Sequence, residues 1–169
     1  MLKPEASDDA QLARAARAVG ERLLALGQTL VTAESCTGGW IAKTVTDVSG
    51  SSGWFDCGIV AYSYEAKQGL LGVRPETLIR HGAVSEETVL EMVSGALIHS
   101  GAGVGVAVTG IAGPSGGTAD KPVGTVWIAV AGPNGVISRL GGFPGTRDLV
   151  IERAAMSGLN MLRKCLIPL

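Results

Sequence analysis

Apolar residues recur at steps of three and four between Asp9 and Leu26: Leu12, Ala16, Val19, Leu23 and Leu26, with Arg14, Arg17, Glu21 and Arg22 between them. That spacing puts the apolar set on one face of an amphipathic helix, which Gly27 ends. The pattern then changes. Thr29 to Ala33 is short and β-branched and reads as a strand, running directly into Glu34-Ser35-Cys36-Thr37-Gly38-Gly39. Ile41 and Val45 restore helical spacing beyond it, so the segment predicts strand, tight turn and helix.

Phe55 to Ala61 predicts a second strand, Glu65 to Leu71 a short helix carrying Lys67 about one turn in, and Pro75 to Arg80 another short helix. Ser85, followed by Glu86 and Glu87, suits an N-cap with acidic residues in the positive first turn. Val89, Val93, Ala96 and Leu97 are the buried stripe of that helix, which ends near Gly101. Two apolar strand patterns follow, Gly103 to Thr109 and Val123 to Ala131, and a Pro133-Asn134-Gly135 turn leads into Val136 to Leu140. Thr146 caps a final helix with Ile151, Ala155, Leu159, Leu162 and Leu166 on one face and Arg153, Arg163 and Lys164 on another. Strands alternating with helices predict a layered α/β/α domain; the late hairpin makes the sheet mixed, though mainly parallel. With no linker or repeat, residues 1–169 read as a single domain.

Composition narrows the partners. Lys plus Arg number 14 against 15 Asp plus Glu, a net charge of −1, so no broad attraction to nucleic acid or anionic lipid is expected. Hydrophobic residues reach 46%, yet no apolar run approaches the roughly 20 residues of a membrane span. The opening MLKPEASDDA lacks the basic-then-apolar layout of a signal peptide, which predicts a cytoplasmic protein. Cys36, Cys57 and Cys165 form no CxxC pair, and with two histidines they predict neither a disulfide framework nor a metal site.

The chemistry concentrates at three places. A strand entering Ser35 and a helix leaving through Gly38 and Gly39 would present the hydroxyl beside free backbone N–H groups, as a nucleophile or anion site needs; the alternative is that Ser35 only caps the helix. Cys36 reads as a small buried residue. His81 and His99 have no evident acidic partner, which disfavours a Ser-His-Asp arrangement. A buried lysine can serve instead when its charged form is destabilised, and Lys67 in YSYEAK, with Tyr62 to orient the amine or relay a proton, is the candidate; the alternative is a solvated surface charge. Thr109, Gly110, Gly113, Ser115 and Gly116 follow a buried strand and can bring backbone N–H groups to an anion, although the run lacks a P-loop ending. Arg147 opens the last helix, where a cation opposes the macrodipole unless it meets an anion or solvent.

Taken together, AESCTGG at 33–39, YSYEAK at 62–67, TGIAGPSGG at 109–117, KPVGTV at 121–126 and TRD at 146–148 closely resemble the CinA C-terminal domain family over nearly the whole chain. That family includes stand-alone nicotinamide-nucleotide amidases and the C-terminal half of competence/damage-inducible proteins. The resemblance implies Ser35 as nucleophile, Lys67 as general base and Tyr62 as its partner, with Gly38, Gly39, Thr109, Gly110, Gly113, Gly116 and Arg147 binding a small-molecule nucleotide. It implies no cofactor and allows a homo-oligomer. Tyr64 departs from it, standing where the family favours a smaller polar residue such as asparagine. Two other readings remain: a non-catalytic nucleotide-binding accessory domain, and an amidase for another small carboxamide.

Overall fold

Strand and helix patterns each leave one apolar surface to be covered, and in this chain the sheet is covered twice. The structure is a computed structural model describing residues 9–167; the N-terminal stretch read for a signal peptide falls mostly outside them. The elements run α1 (Asp9–Leu26), β1 (Leu30–Glu34), α2 (Trp40–Thr46), β2 (Phe55–Val60), α3 (Tyr64–Leu71), α4 (Pro75–His81), α5 (Glu86–Ser100), β3 (Val104–Gly110), β4 (Thr125–Gly132), β5 (Gly135–Gly142) and α6 (Arg147–Cys165). The sheet order is β2-β1-β3-β4-β5. β1 pairs in parallel with β2 and β3, whereas β3–β4 and β4–β5 are antiparallel, so every strand except β4 runs in one direction. Gly132 pairs with Gly135 across the expected hairpin.

Alternation along the central strands sorts side chains by size. Leu30, Val104, Val106, Val108, Val126, Ile128 and Val130 enter one core with α1, α2 and α6. Ala33, Ala107, Ala129 and Ala131 face the other way, into a core with α3, α4 and α5. The small residues let α5 lie close: a Cβ on Gly105 would stand 3.0 Å from Val93 Cγ2 and 3.3 Å from Leu97. All five residues of β1 are buried, as expected of a strand covered on both faces. Each Leu, Val or Ile so buried contributes about 1.5–3 kcal/mol relative to exposure.

Two local expectations change. Leu26 ends α1 exposed rather than on the buried stripe, because the chain turns away at Gly27. Thr146 occupies the N-cap position of α6 but makes no side-chain capping bond, whereas Ser85 does cap α5, accepting from Thr88 N–H at 3.2 Å. Because β1, β2 and β3 run parallel, their C-terminal ends lie side by side, and these ends carry Ser35, Ala61-Tyr62 and Thr109-Gly110. In open α/β sheets, ligands settle in the crevice at that edge.

Candidate active site

Ser35 follows directly on the last residue of β1, and its N–H donates to Val108 O of β3 at 3.0 Å, so the main chain at the hydroxyl is held by the sheet. Beyond it the chain reverses through Gly38 and Gly39, both at positive φ (60° and 95°), a conformation that side chains other than glycine rarely adopt. The turn does not leave the start of α2 open. The Glu34 carboxylate, 0% exposed, accepts from Ile41 N–H at 2.8 Å with one oxygen and from Ala42 N–H at 3.0 Å with the other. The expected anion site at that helix start is therefore filled by the protein's own carboxylate, and neither Gly38 nor Gly39 lines the cavity described below. Ser35 is not the cap. Thr37 turns its hydroxyl inward, where it has no hydrogen-bond partner.

Lys67 lies one turn into α3, which Ser63 caps by accepting from Ala66 N–H at 3.0 Å. Its side chain runs inward and is 1% exposed, and Nζ meets three oxygens: Ser35 Oγ at 2.8 Å, Ala61 O at 2.9 Å and Tyr62 O at 3.0 Å. No carboxylate is among them. Burial, the largest cause, lowers the Lys67 pKa from the ordinary 10.5, because removing water penalises the ammonium. The three contacts are all oxygens able to accept from Nζ. As an ammonium, Nζ donates to all three oxygens; once deprotonated, it can keep the two carbonyls with its N–H groups and turn its lone pair to the Ser35 O–H.

Tyr62 takes part differently from the sequence expectation. It touches Lys67 through its main-chain carbonyl, while its phenol, on a residue 60% exposed, accepts from Arg147 Nη2 at 3.0 Å. Arg147 also donates from Nη1 to Gly113 O at 2.8 Å, tying the start of α6 to the glycine loop after β3. Both partners are neutral oxygens, which leaves the guanidinium charge uncompensated there.

A cavity of about 320 Å³ joins these groups, lined by Ser35, Lys67, Tyr62, Thr109, Gly110, Gly113, Ser115, Gly116 and Arg147, together with Cys36, Ala83, Val84, Ile111 and Ala112. All the expected residues except Gly38 and Gly39 meet there. Thr109 is buried and donates to Ala83 O at 2.7 Å. Lys121, from KPVGTV, reaches the same wall, donating to His81 O at 2.9 Å and Val84 O at 2.8 Å. Tyr64 Oη accepts from Ala83 N–H at 3.3 Å. The 82–84 wall has no chemical side chain to reveal it in the sequence; its signal is only that a loop lies between two helices. Cys36 is buried, and desolvation pushes its thiol up to about 12, which makes it a poor nucleophile.

A larger cavity of about 500 Å³ lies between α3 and α5, lined mainly by Leu70, Leu71, Leu90 and Ile98. Ser94 and His99 also line it with no hydrogen bond between them, whereas the Ser35–Lys67 pair lies in the smaller one. Contrary to the sequence expectation, His81 has an acidic partner, Glu87 at 3.3 Å, brought beside it by the turn between α4 and α5, but it lines neither cavity. Among the described residues, no helix is long and apolar enough to cross a membrane, and no three His, Cys, Asp or Glu side chains gather as metal ligands.

Residues 12–166 match the CinA C-terminal domain. The chain is 52% identical over 155 residues to the Escherichia coli K12 nicotinamide-nucleotide amidohydrolase PncC, covering 91% of this chain and 94% of that protein. It is also 52% identical to a putative competence-damage inducible protein of Symbiobacterium thermophilum, where the match covers 89% of this chain but 38% of the relative. The crystal structure of the competence/damage inducible protein CihA from Agrobacterium tumefaciens superposes with a TM-score of 0.89 at 41% identity, covering 98% of this chain and 99% of that one.

Proposed function

Because the chain belongs to the CinA C-terminal domain family, we propose that it is a nicotinamide-nucleotide amidase that hydrolyses nicotinamide mononucleotide to nicotinate mononucleotide and ammonia by a Ser-Lys mechanism. The observation that carries the reading is the buried Lys67 Nζ, 2.8 Å from Ser35 Oγ and held on its other sides by two carbonyls. The name of the Escherichia coli relative, 52% identical over nearly its full length, supports the substrate.

The reaction follows from valence and charge. The Lys67 lone pair takes the Ser35 hydroxyl proton as Oγ bonds to the carboxamide carbon, giving a tetrahedral oxyanion and an ammonium on Lys67. Ser35 N–H is engaged by Val108 O and Gly38 N–H by Ser35 O, which leaves Cys36, next in the turn and at the cavity wall, to offer its N–H to the oxyanion. Lys67 returns the proton to the departing nitrogen, and ammonia leaves an ester on Ser35. Water, deprotonated by the same amine, then attacks the ester carbon and releases the carboxylate and the free hydroxyl. No step needs a histidine.

The glycine loop and Arg147 hold the phosphate at the far side of the cavity, where remote binding energy orients the carboxamide. A volume of about 320 Å³ is at the small end of ligand cavities, suited to a mononucleotide rather than a dinucleotide. The test is ammonia release from nicotinamide mononucleotide, nicotinamide riboside and nicotinamide at equal concentrations. Turnover that depends on the phosphate supports the proposal; equal turnover of nicotinamide would replace it with an amidase for a smaller carboxamide.

A further inference from the structure

The carboxylate beneath the nucleophile has no role in the reaction just described, yet it is among the largest fully buried side chains of the protein. Glu34 accepts from Ile41 and Ala42 N–H, one on each oxygen, and the second oxygen also lies 3.3 Å from the buried Thr32 hydroxyl. Its own main-chain O accepts from Ala61 N–H at 2.9 Å, and Ala61 O accepts from Lys67 Nζ at 2.9 Å. Residue 34 thus joins three things: the start of α2, the end of β2 on which the amine rests, and the peptide leading into Ser35. It lines no part of the cavity.

We propose that Glu34 is a positioning residue for the Ser35–Lys67 pair, holding the turn after β1 so that Oγ stays within reach of the amine. α2 opens with N–H groups that have no acceptor within the helix, and the turn, occupied by Ser35, Cys36, Thr37 and two positive-φ glycines, presents no capping side chain to them. A carboxylate satisfies two such donors because both of its oxygens accept. Glutamine of the same shape satisfies one and points its NH₂ at the other, so the turn must shift. A shift of about 1 Å at a catalytic group can cost on the order of a hundredfold in rate.

The inference rests on the reading of Ser35 as nucleophile and Lys67 as base, and its test separates the two. Wild type, Glu34→Gln and Ile41→Ala are treated with a small fluorophosphonate; the rate of Ser35 phosphonylation is followed by intact mass, with thermal melts alongside and kcat and KM measured on nicotinamide mononucleotide. Phosphonylation requires an activated Ser35 but no nucleotide binding. Expected are wild-type labelling, labelling and kcat slowed about tenfold or more in Glu34→Gln, and KM within about threefold. Ile41→Ala, which loosens the same helix through its core side chain but keeps the N–H, should be destabilised yet label near the wild-type rate. A wild type that fails to label removes the nucleophile assignment and the inference with it. Wild-type rates in Glu34→Gln, or an equal slowing in Ile41→Ala, overturn the inference alone. Should Glu34→Gln fail to fold, Thr32→Val removes only the weakest of the three donors: labelling slowed two- to fivefold supports the positioning role, and an unchanged rate reduces Glu34 to a folding residue.

Discussion

Replacing Lys67 by methionine separates the chemistry of the site from its packing. Methionine nearly matches the lysine stem in length, so the channel filled by this 1%-exposed side chain stays filled. What disappears is one amine and its three contacts. Ala61 O and Tyr62 O each lose a donor, which costs about 1–3 kcal/mol for an acceptor left buried and unpaired. Against that stands the relief of no longer burying an ionisable amine, which carries about 1.4 kcal/mol for each pKa unit of depression. The two act in opposite directions, and the variant should fold, keeping a single cooperative thermal transition. Activity has no such compensation. Loss of the general base should lower kcat by about 10²–10⁴, equivalent to about 2.7–5.4 kcal/mol of barrier. Calorimetric titration with nicotinamide mononucleotide should give a Kd within about threefold of wild type, since Lys67 acts on Ser35 rather than on the phosphate. An ammonia assay showing kcat within tenfold of wild type in a folded Lys67→Met would refute the base assignment, and a Kd that collapses together with kcat would show that the amine binds substrate.

The lowered Lys67 pKa carries a sign that can be checked. Between its value in the folded protein and the ordinary 10.5, the unfolded chain binds the extra proton, so stability should rise with pH across that window, the burial cost standing in full below it; urea titrations over a pH series should show this slope in wild type and lose it in Lys67→Met. The same deprotonation should give kcat/KM an acid limb with a midpoint below 10.5, and activity still climbing without a plateau above that pH would contradict a base poised by burial. Arg147→Met releases Gly113 O and the Tyr62 phenol and removes the uncompensated cation; KM for the nucleotide should rise tenfold or more, with a smaller change for nicotinamide riboside. Gly95→Ala would put a Cβ 1.7 Å from Leu71 O where α3 crosses α5, so a loss of about 3 kcal/mol or more is expected, and a melting temperature within 2–4 °C of wild type would show that α3 yields easily.

How far the sequence reaches depends on whether a residue's work is local. Periodicity placed α1, α5 and α6 to within a residue or two, because their apolar stripes repeat over several turns, and Ser85 announced its own cap. The strands were legible as segments but not as an order, since the pairing of β1 with both β2 and β3 depends on contacts across distant parts of the chain. In the site, Ser35 and Lys67 stand out by residue type and motif. Their separation of 2.8 Å across 32 residues of chain does not. Glu34 illustrates the limit: it sits in the motif beside Ser35, yet nothing local says whether its carboxylate turns outward to the cavity or inward to cap α2. Tyr62 shows the converse, with a phenol that drew attention and a carbonyl that touches the amine. Ala83 and Val84 shape the cavity wall through main-chain carbonyls that accept from the Thr109 hydroxyl and the Lys121 ammonium, a role that the side chains at 83 and 84 cannot disclose.

The central claim is that this chain hydrolyses a nucleotide carboxamide at Ser35. Its most direct test is the stoichiometric assay of nicotinate mononucleotide and ammonia formed from nicotinamide mononucleotide by purified wild type and by Ser35→Ala, with folding of the variant checked by thermal melting. The account predicts equimolar products from wild type and a loss of turnover in the folded variant. Undiminished turnover by Ser35→Ala, or none by wild type, would contradict it.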